Sequence, residues 1–572
     1  MTPNPSAPQN ARRKMRAGGF WFWFACLTAS VGAAADAASP GGDALAARLR
    51  RGQELYAANC AACHQLNGEG VAGVFPPLAA SDFLADGPER GIRAVCEGLA
   101  GEIVVNGRTY AGVMPPVVID DADVADVFTY VMHSWGNPGG VVEAERVRRI
   151  RSRTAVRTFE RLQASSVFPP LPPPPPGFTL REVARLPQRG VRIASDGTGR
   201  TLFVLTEKGD VWALEPATGA LRQVLSARKY LEQRPGDLGP PLFVLGLALD
   251  GQGRLYIASN QQNEAALPVQ NIVTIYRTTT QVDGLPAEPK PWFQISYPGN
   301  SAYVHGVEHL AFGPDGLLYV GNGARTDGGQ PTTGPRWHDG AETPLTASIW
   351  RLDPRVERPQ VEIIARGVRN AYGFCWNERG EMIATENGPD ADAPEELNLI
   401  EPGRHYGFPY AFADWTKKAY PHTPDAPPGL QFTRPIPNVG PDGGFAGEPL
   451  FTFDPHSCPG GIVYLGDDFP PGYRGTYVLA RFGNLIGTGR DRGFDVLQAT
   501  LTRDPQGQYQ AAVKTLLAPL GRPIDVHLGG RGKLYICEFS RATSRAMSYA
   551  LPGRILELAV AQHAAGERSG TK

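Results

Sequence analysis

The sequence predicts a small all-α domain followed by an all-β, six-bladed β-propeller. The main observation is a unit of apolar strand, glycine turn and second apolar strand that recurs six times after residue 178. The 572 residues also include 68 Gly and 53 Pro, an excess typical of many strands joined by turns. Before residue 140, apolar residues recur at helical spacing instead, as in Val124, Val127, Phe128 and Val131. With 42% hydrophobic residues the chain is not a disordered polymer, and a net charge of −1 gives no reason to expect a nucleic-acid partner.

Residues 1–38 are predicted to be a signal peptide. Arg12, Arg13, Lys14 and Arg16 precede the apolar run Phe20–Ala35, which ends in small residues. We therefore expect export to the periplasm. An uncleaved anchor is the alternative, although the run is short of the roughly 20 residues that span a bilayer comfortably. No other run in the sequence is long and apolar enough, so we expect no transmembrane span in the mature chain.

Cys60-Ala61-Ala62-Cys63-His64 is the C-x-x-C-H pattern that attaches c-type haem. Cys60 and Cys63 would bind the haem vinyl groups, and His64 would ligate the iron. The alternatives are a redox C-x-x-C or half of a zinc site. The sequence has no second close cysteine pair to complete a zinc site, so we expect covalent haem c.

A sixth iron ligand is expected at Met114. Between residues 40 and 140 the other methionine is Met132, which falls on the apolar face of the Asp123–Trp135 helix and is predicted to pack in a core. Met114 precedes two prolines, Pro115 and Pro116, which favour an extended segment able to hold a thioether over the iron.

Residues 47–137 resemble a class I cytochrome c, and we place that domain at 41–140. The resemblance lies in the haem motif and in Gly68-Glu69-Gly70, Phe75–Leu78 and Gly112–Pro116. It implies a small helical fold and one-electron transfer. A linker at 141–177 is predicted to follow: a charged helix over Val141–Gln163, then a stiff polyproline spacer ending in Pro172–Pro176.

The propeller is placed at 178–560, with a tail at 561–572. About 60 residues for each of six repeats suit a four-stranded blade with insertions, and an array of β-sandwiches is the alternative. The six copies span Arg192–Val204, Leu245–Ala258, His309–Gly321, Ala371–Thr385, Gly461–Leu479 and Ile524–Glu538.

Three short motifs on the propeller could carry chemistry. His305 lies just before a predicted strand, where a loop histidine could act as a general base. Arg369-Asn370 offers a guanidinium and an amide before another strand. Gly388-Pro389 offers turn carbonyls near acidic residues, the kind of oxygen donors that Ca²⁺ takes. Each motif alone is weak, because solvated loop residues would explain it equally well.

In combination, these motifs resemble the soluble glucose, aldose sugar and L-sorbosone dehydrogenases that depend on pyrroloquinoline quinone (PQQ). The resemblance also includes His456–Pro459, Phe469–Gly475 and Gly521–Val526. It implies that His305 is the base for the sugar C1 hydroxyl, that Arg369 and Asn370 contact PQQ, and that the carbonyls of Gly388 and Pro389 bind Ca²⁺. Arg481 and His456 are the candidates for quinone contact in the late blades.

One position departs from the family pattern. Where the glucose-oxidising members have an acid that orients the histidine, this chain has Ala324, and Asp327 lies out of register. We therefore expect a periplasmic quinohaemoprotein that oxidises an aldose sugar or related aldehyde and passes electrons to its own haem, then to a downstream acceptor. The alternatives are a propeller that binds without catalysis and a nitrite reductase with haem d1, which needs eight blades.

Overall fold

The computed structural model describes residues 40–100, 102–114, 117, 119–152, 169–231, 243–263, 265–280, 285–299, 305–329, 342–391, 393–413, 418–443, 452–484, 492–543 and 551–561. The chain separates into two compact units, Met1–Ala47 and Arg48–Lys572. The predicted signal peptide at 1–38 lies outside the described residues. Within the described part of the chain, no helix is long and apolar enough to cross a membrane.

The N-terminal domain is helical, as predicted. Its helices are α1 (Pro40–Asn59), α2 (Ala61–His64), α3 (Glu89–Glu97) and α4 (Asp121–His133), with a 3₁₀ turn at Asp82–Leu84. Helices α1 and α4 approach closely at Gly52, where a Cβ would lie 2.1 Å from the carbonyl oxygen of Asp126. Gly52 thus allows the backbones to meet. Met132 is 1% exposed in the core behind this crossing, as expected.

The domain also contains four short strands that the prediction of an all-α domain did not include. These are β1 (Leu99–Ala100), β2 (Ile103–Val105), β3 (Arg108–Tyr110) and β4 (Val113–Met114), with β2 paired to β3 and β1 to β4. The hairpin turns at Asn106-Gly107, both with positive φ (49° and 72°). Asn-Gly is the pair that favours this type of turn, so the local sequence explains the difference.

The segment between the domains has one described helix, α5 (Ala144–Ser152), and residues 153–168 of the predicted helix lie outside the described residues. Residues 169–175 have neither helix nor strand, and the polyproline spacer stays a prediction. Leu171 packs against an apolar cluster of the propeller that includes Phe178 and Leu534. The end of the spacer therefore lies against the propeller.

The propeller has six blades, which confirms the predicted fold class. Blade 1 contains β6 (Gly190–Ser195), β7 (Leu202–Thr206), β8 (Val211–Glu215) and β9 (Ala220–Leu225), followed by helix α6 (Ala227–Leu231). Blade 2 contains β10 (Phe243–Leu249), β11 (Leu255–Asn263), β12 (Gln270–Thr280) and β13 (Pro286–Pro298). Blade 3 contains β14 (Val307–Phe312), β15 (Leu318–Asn322), β16 (Ser348–Leu352) and β17 (Glu362–Arg366).

The second half of the ring is less regular. Blade 4 has three described strands, β18 (Ala371–Trp376), β19 (Met382–Glu386) and β20 (Glu396–Ile400). Blade 5 contains β22 (Pro459–Leu465), β23 (Thr476–Arg481), β24 (Asp495–Arg503) and β25 (Tyr509–Leu517), with β21 (Asn438–Pro441) added in parallel to β25. Blade 6 contains β26 (Arg522–Leu528), β27 (Lys533–Ser540) and β28 (Arg554–Val560), and it is completed by β5 (Phe178–Arg185).

The ring therefore closes by pairing the first strand of the propeller with the last. Each of the six predicted hairpins corresponds to the first two strands of one blade, and the innermost strands contact one another around the axis. Arg192 lies at the centre, 1% exposed. Its guanidinium donates to the carbonyl oxygen of Glu308 in blade 3 and to Asp525 in blade 6. This paired charge joins the blades across the axis.

Candidate functional site

The haem attachment motif has the arrangement that a c-type haem needs. Cys60 precedes α2 and His64 ends it, so the two thiols and the imidazole lie within little more than one helical turn. His64 is 7% exposed, and its Nδ1 lies 2.9 Å from the carbonyl oxygen of Pro76. Nδ1 donates to that oxygen, which leaves Nε2 as the lone-pair nitrogen for iron. Burial lowers the pKa of His64 and so favours the neutral form that binds metal.

The other predicted haem residues also fit. Cys60 and Cys63 are free thiols, and burial raises the pKa of Cys60 to about 12. Met114 is half-buried in β4, where it pairs with Leu99 and packs against the apolar core of the domain. Its position as the sixth ligand stays a prediction. Pro115 and Pro116, which we expected to hold it, lie outside the described residues.

On the propeller, His305 is held by two side chains. Its Nδ1 lies 3.0 Å from Glu308 Oε1 and 3.1 Å from Asn370 Nδ2. Glu308 is only 3% exposed, so its carboxylate is the natural acceptor for the Nδ1 proton. Nε2 then carries the lone pair, as a general base requires. A Cβ at Gly323 would lie 2.3 Å from the Cβ of His305, so this close packing needs glycine.

Asn370 carries an open hydrogen-bond acceptor. Its Oδ1 is buried and has no hydrogen-bond partner in the described part of the chain. A buried amide oxygen without a donor is costly, by about 1–3 kcal/mol. Because Nδ1–H of His305 donates, exchanging the oxygen and nitrogen of the Asn370 amide would let Oδ1 accept from it and would leave Nδ2 open instead. In either orientation the amide has one polar group that does not face His305.

Arg369 is buried and paired with Asp327. Its side chain donates to Asp327 Oδ1 at 2.5 Å, to the Asp327 carbonyl at 2.9 Å and to the Asn387 carbonyl at 3.1 Å. These bonds use three of its five N–H groups. Burial alone would raise the pKa of Asp327, but Arg369 and the Tyr420 hydroxyl hold it below its usual value. Asp327, out of register in the sequence, therefore orients the arginine rather than His305.

Gly388 and Pro389 lie in a turn tied to the same cluster. Asn387 N donates to the Asn370 carbonyl at 3.0 Å, and Asp390 N donates to Asp327 Oδ1 at 2.9 Å. No backbone N–H in the described part of the chain is found to donate to the carbonyl oxygens of Gly388 and Pro389. Carbonyl oxygens left open to this extent suit a hard cation. No group of three His, Cys, Asp or Glu side chains suited to a metal occurs among the described residues, so a cation here would depend on carbonyls.

The loop His456–Cys458 adjoins this turn through a buried carboxylate. His456 and Cys458 have positive φ values of 60° and 48°. Their backbone N–H groups and that of Gly388 donate hydrogen bonds to the Glu395 carboxylate, which is the arrangement of an anion-binding nest. Burial raises the pKa of Glu395 to about 7, against the effect of these donors.

Arg481 lies next to this loop, but its guanidinium is already paired. It donates to Asp495 at 2.9 and 2.6 Å and lies 3.3 Å from Asp454. A role for Arg481 in quinone contact stays a prediction, and these two carboxylates neutralise its charge. The structure thus brings His305, Arg369, Asn370, Gly388 and Pro389 into one cluster, with Arg481 at its edge.

Sequence reasoning missed Glu308 and Tyr420, and it gave Asp327 no role. Glu308 follows His305 by three residues, a local signal that could have identified it as the acid missing at position 324. Ala324 itself is fully buried, and its backbone bonds to His305 N and to the Arg369 carbonyl. Asp327 and Tyr420 are 93 residues apart, and no local pattern links them.

The haem attachment end contacts the propeller at blade 1. Lys208, in the turn between β7 and β8, donates to the carbonyl oxygen of Ala58, two residues before Cys60. Glu207 N in the same turn donates to the Arg189 carbonyl at 3.0 Å, so the turn lies beside the start of β6. His305 and Asn370 lie just before β14 and β18, the equivalent strands of blades 3 and 4. The helix end that leads into the haem motif therefore contacts the propeller face that carries His305.

Comparison with known proteins agrees with both domains. The glucose/sorbosone dehydrogenase family model matches residues 250–538, about half of the chain, and the cytochrome c model matches residues 49–135. Cytochrome c-552 of Thermus thermophilus is 38% identical over 112 residues, which cover 18% of this chain and 85% of that protein. Quinoprotein glucose dehydrogenase B of Acinetobacter calcoaceticus is 24% identical over 251 residues, 38% of this chain and 51% of that protein.

Solved structures of sugar dehydrogenases are similar to the propeller region. The PQQ-bound aldose sugar dehydrogenase of Streptomyces coelicolor has 21% identity and a TM-score of 0.44, over 68% of this chain and 99% of its own. The apo form of the soluble aldose sugar dehydrogenase of Escherichia coli has 15% identity and a TM-score of 0.47, over 67% and 100%. On the extent of its family match, the chain belongs to the glucose/sorbosone dehydrogenase family of oxidoreductases, and it joins a cytochrome c domain to that propeller.

Proposed function

We propose that this protein is a periplasmic quinohaemoprotein dehydrogenase that oxidises an aldose sugar or a related aldehyde with PQQ and passes the electrons to its own haem c. One observation carries the proposal: Ala58, two residues before the Cys60–His64 motif, accepts a hydrogen bond from Lys208 on the propeller face that holds His305, Arg369 and Asn370. A haem attached at that end would lie on the same side of the propeller as the oxidation site.

His305 would take the proton of the sugar C1 hydroxyl. Glu308, 3.0 Å from Nδ1, fixes the tautomer that leaves Nε2 able to accept it, and it stabilises the imidazolium that forms. When bound, PQQ supplies a two-electron acceptor for the hydride.

Arg369 and Asn370 would orient the cofactor. Asp327 holds the Arg369 guanidinium in one position, so its remaining N–H groups are preorganised for an anionic or carbonyl oxygen. The Asn370 amide offers the polar group that does not face His305. The carbonyls of Gly388 and Pro389 would hold Ca²⁺, because no backbone N–H in the described part of the chain is found to donate to them.

The test is to load the purified full-length protein with PQQ and Ca²⁺ and to add a panel of sugars, aldehydes and alcohols. We expect at least one sugar or aldehyde to reduce an artificial dye and to produce the spectrum of ferrous haem c. No dye reduction and no haem reduction across the panel would overturn the proposal.

A propeller that binds PQQ or a sugar without oxidising it is the second candidate, since Ala324 stands where the family has an acid. The Glu308 contact with His305 weighs against it. Calorimetric binding of PQQ without turnover would support it. The nitrite reductase alternative requires eight blades, whereas this propeller closes with six.

A further inference from the structure

Blade 1 presents a lysine to the end of the haem-motif helix. The Lys208 ammonium donates to the carbonyl of Ala58, in the last turn of α1. The final carbonyls of a helix have no partner within the helix and carry partial negative charge, so a cation there is favourable. Burial lowers the pKa of Lys208, and the nearby Glu207 and Cys60 act in the opposite direction. The lysine thus joins the propeller to the helix that leads into Cys60.

A second cation of blade 1 meets the beginning of α4. Arg228, on α6, pairs with Asp123 and lies 3.7 Å from Asp120. Asp120 caps α4 by accepting from Asp123 N at 2.7 Å, and the Asp123 side chain is 1% exposed. Arg51 also reaches Asp123, at 2.6 Å. The propeller therefore contacts both helices of the α1–α4 crossing, one through each cation.

Packed side chains lead from this contact toward the loop His456–Cys458 of the candidate site. Arg189 is close enough to Cys63 for its charge to oppose the rise that burial causes in the pKa of that thiol. The Arg189 guanidinium lies 5.4 Å from the Phe539 ring centre, and Phe539 packs edge-on against Phe482 at 5.4 Å. The Arg522 guanidinium lies 5.4 Å from the Phe482 ring, and its charge acts on Cys458 in the loop beside Gly388.

We propose that Lys208 and Arg228 are positioning residues that dock the cytochrome domain on the propeller with its haem attachment end toward the oxidation site, and that this docking sets the rate at which substrate reduces the haem. The inference rests on the proposed function. The step is the reduction of ferric to ferrous haem by the first of the two electrons that substrate oxidation releases, and the second electron follows once the downstream acceptor has oxidised the haem again. Lys208, bonded to the carbonyl of Ala58, also places a positive charge two residues before the attachment cysteine Cys60, which favours ferrous haem.

The test compares the PQQ- and Ca²⁺-loaded wild type with the Lys208→Met/Arg228→Glu double variant. Three quantities are measured: dye-linked substrate oxidation, the single-turnover rate of haem reduction by substrate, and the haem midpoint potential by equilibrium titration. The matched control is Lys290→Met, an exposed lysine with 71% of its side chain accessible. Dye-linked oxidation and the ferric haem spectrum show whether both domains of each variant have folded.

We expect the double variant to retain dye-linked oxidation and to reduce its haem about tenfold more slowly, since two charge-assisted contacts no longer favour the docked state. Its midpoint potential should shift to a lower value, while Lys290→Met matches the wild type in all three measurements. A wild-type rate and potential in the double variant would overturn the docking inference. Absence of dye-linked oxidation in the wild type would instead overturn the proposed function, and the potential shift would still test the placement of Lys208.

Discussion

The contact between Glu308 and His305 gives a prediction whose size can be worked out. When His305 takes a proton during turnover it becomes a cation, with the Glu308 carboxylate 3.0 Å from its Nδ1 and only 3% exposed. Two unit charges about 4 Å apart interact by about 4 kcal/mol at an effective dielectric constant of 20. Glu308→Gln keeps the size and a hydrogen bond but removes the charge. We therefore expect it to lose about half of that interaction, or about 2 kcal/mol of transition-state stabilisation.

That loss corresponds to a decrease in kcat of about 30-fold at 1.36 kcal/mol per factor of ten. KM should change much less, because Glu308 acts through the histidine and is buried away from substrate. Steady-state dye-linked oxidation with PQQ and Ca²⁺ measures both constants. Glu362→Gln, on the exposed end of blade 3, is the matched control. A Glu308→Gln enzyme with kcat within about twofold of wild type would refute the assigned role of this carboxylate.

Three further predictions concern the two domains. Gly52→Ala should destabilise the cytochrome domain by about 2–4 kcal/mol, because the new Cβ would lie 2.1 Å from the Asp126 carbonyl oxygen. Denaturant unfolding followed by haem absorbance measures this, and a change below about 0.5 kcal/mol would contradict the close helix crossing. Burial lowers the pKa of His527 to about 4 in the folded protein, whereas the pKa in the unfolded chain is about 6.5. The stability that the neutral form contributes is therefore complete above about pH 6.5, and it is lost as the pH falls toward 4. Between pH 7 and pH 5 the propeller should lose about 2 kcal/mol at this site, and His527→Gln should remove that part of the pH dependence of its unfolding. Met114→Leu should convert the haem spectrum from low-spin to high-spin while Met132→Leu does not, and an unchanged spectrum in Met114→Leu would assign the sixth ligand elsewhere.

The fold could be predicted from the sequence because its signals are local. Each blade begins with a hairpin whose glycine turn is contiguous in the chain, as at Gly316, which has a φ of 74°. The haem ligands at Cys60–His64 are contiguous for the same reason. The β2–β3 hairpin also had a local signal, Asn106-Gly107, which the prediction of an all-α domain did not use.

The rest of the candidate site depends on distant residues. The pairing of Asp327 with Arg369 spans 42 residues, and that of Tyr420 with Asp327 spans 93. Such contacts depend on how the blades close around the axis, which no short pattern specifies. The contact of Lys208 with Ala58 joins two domains across 150 residues, and neither partner has a motif of its own.

The central claim is that substrate oxidised on the propeller reduces the haem of the same chain. Stopped-flow mixing of sugar with the PQQ- and Ca²⁺-loaded ferric protein tests this most directly, with haem reduction followed over a tenfold range of protein concentration. We predict a first-order rate constant that does not change with protein concentration. A rate that rises in proportion to protein concentration would mean that electrons pass between molecules, and it would contradict the account.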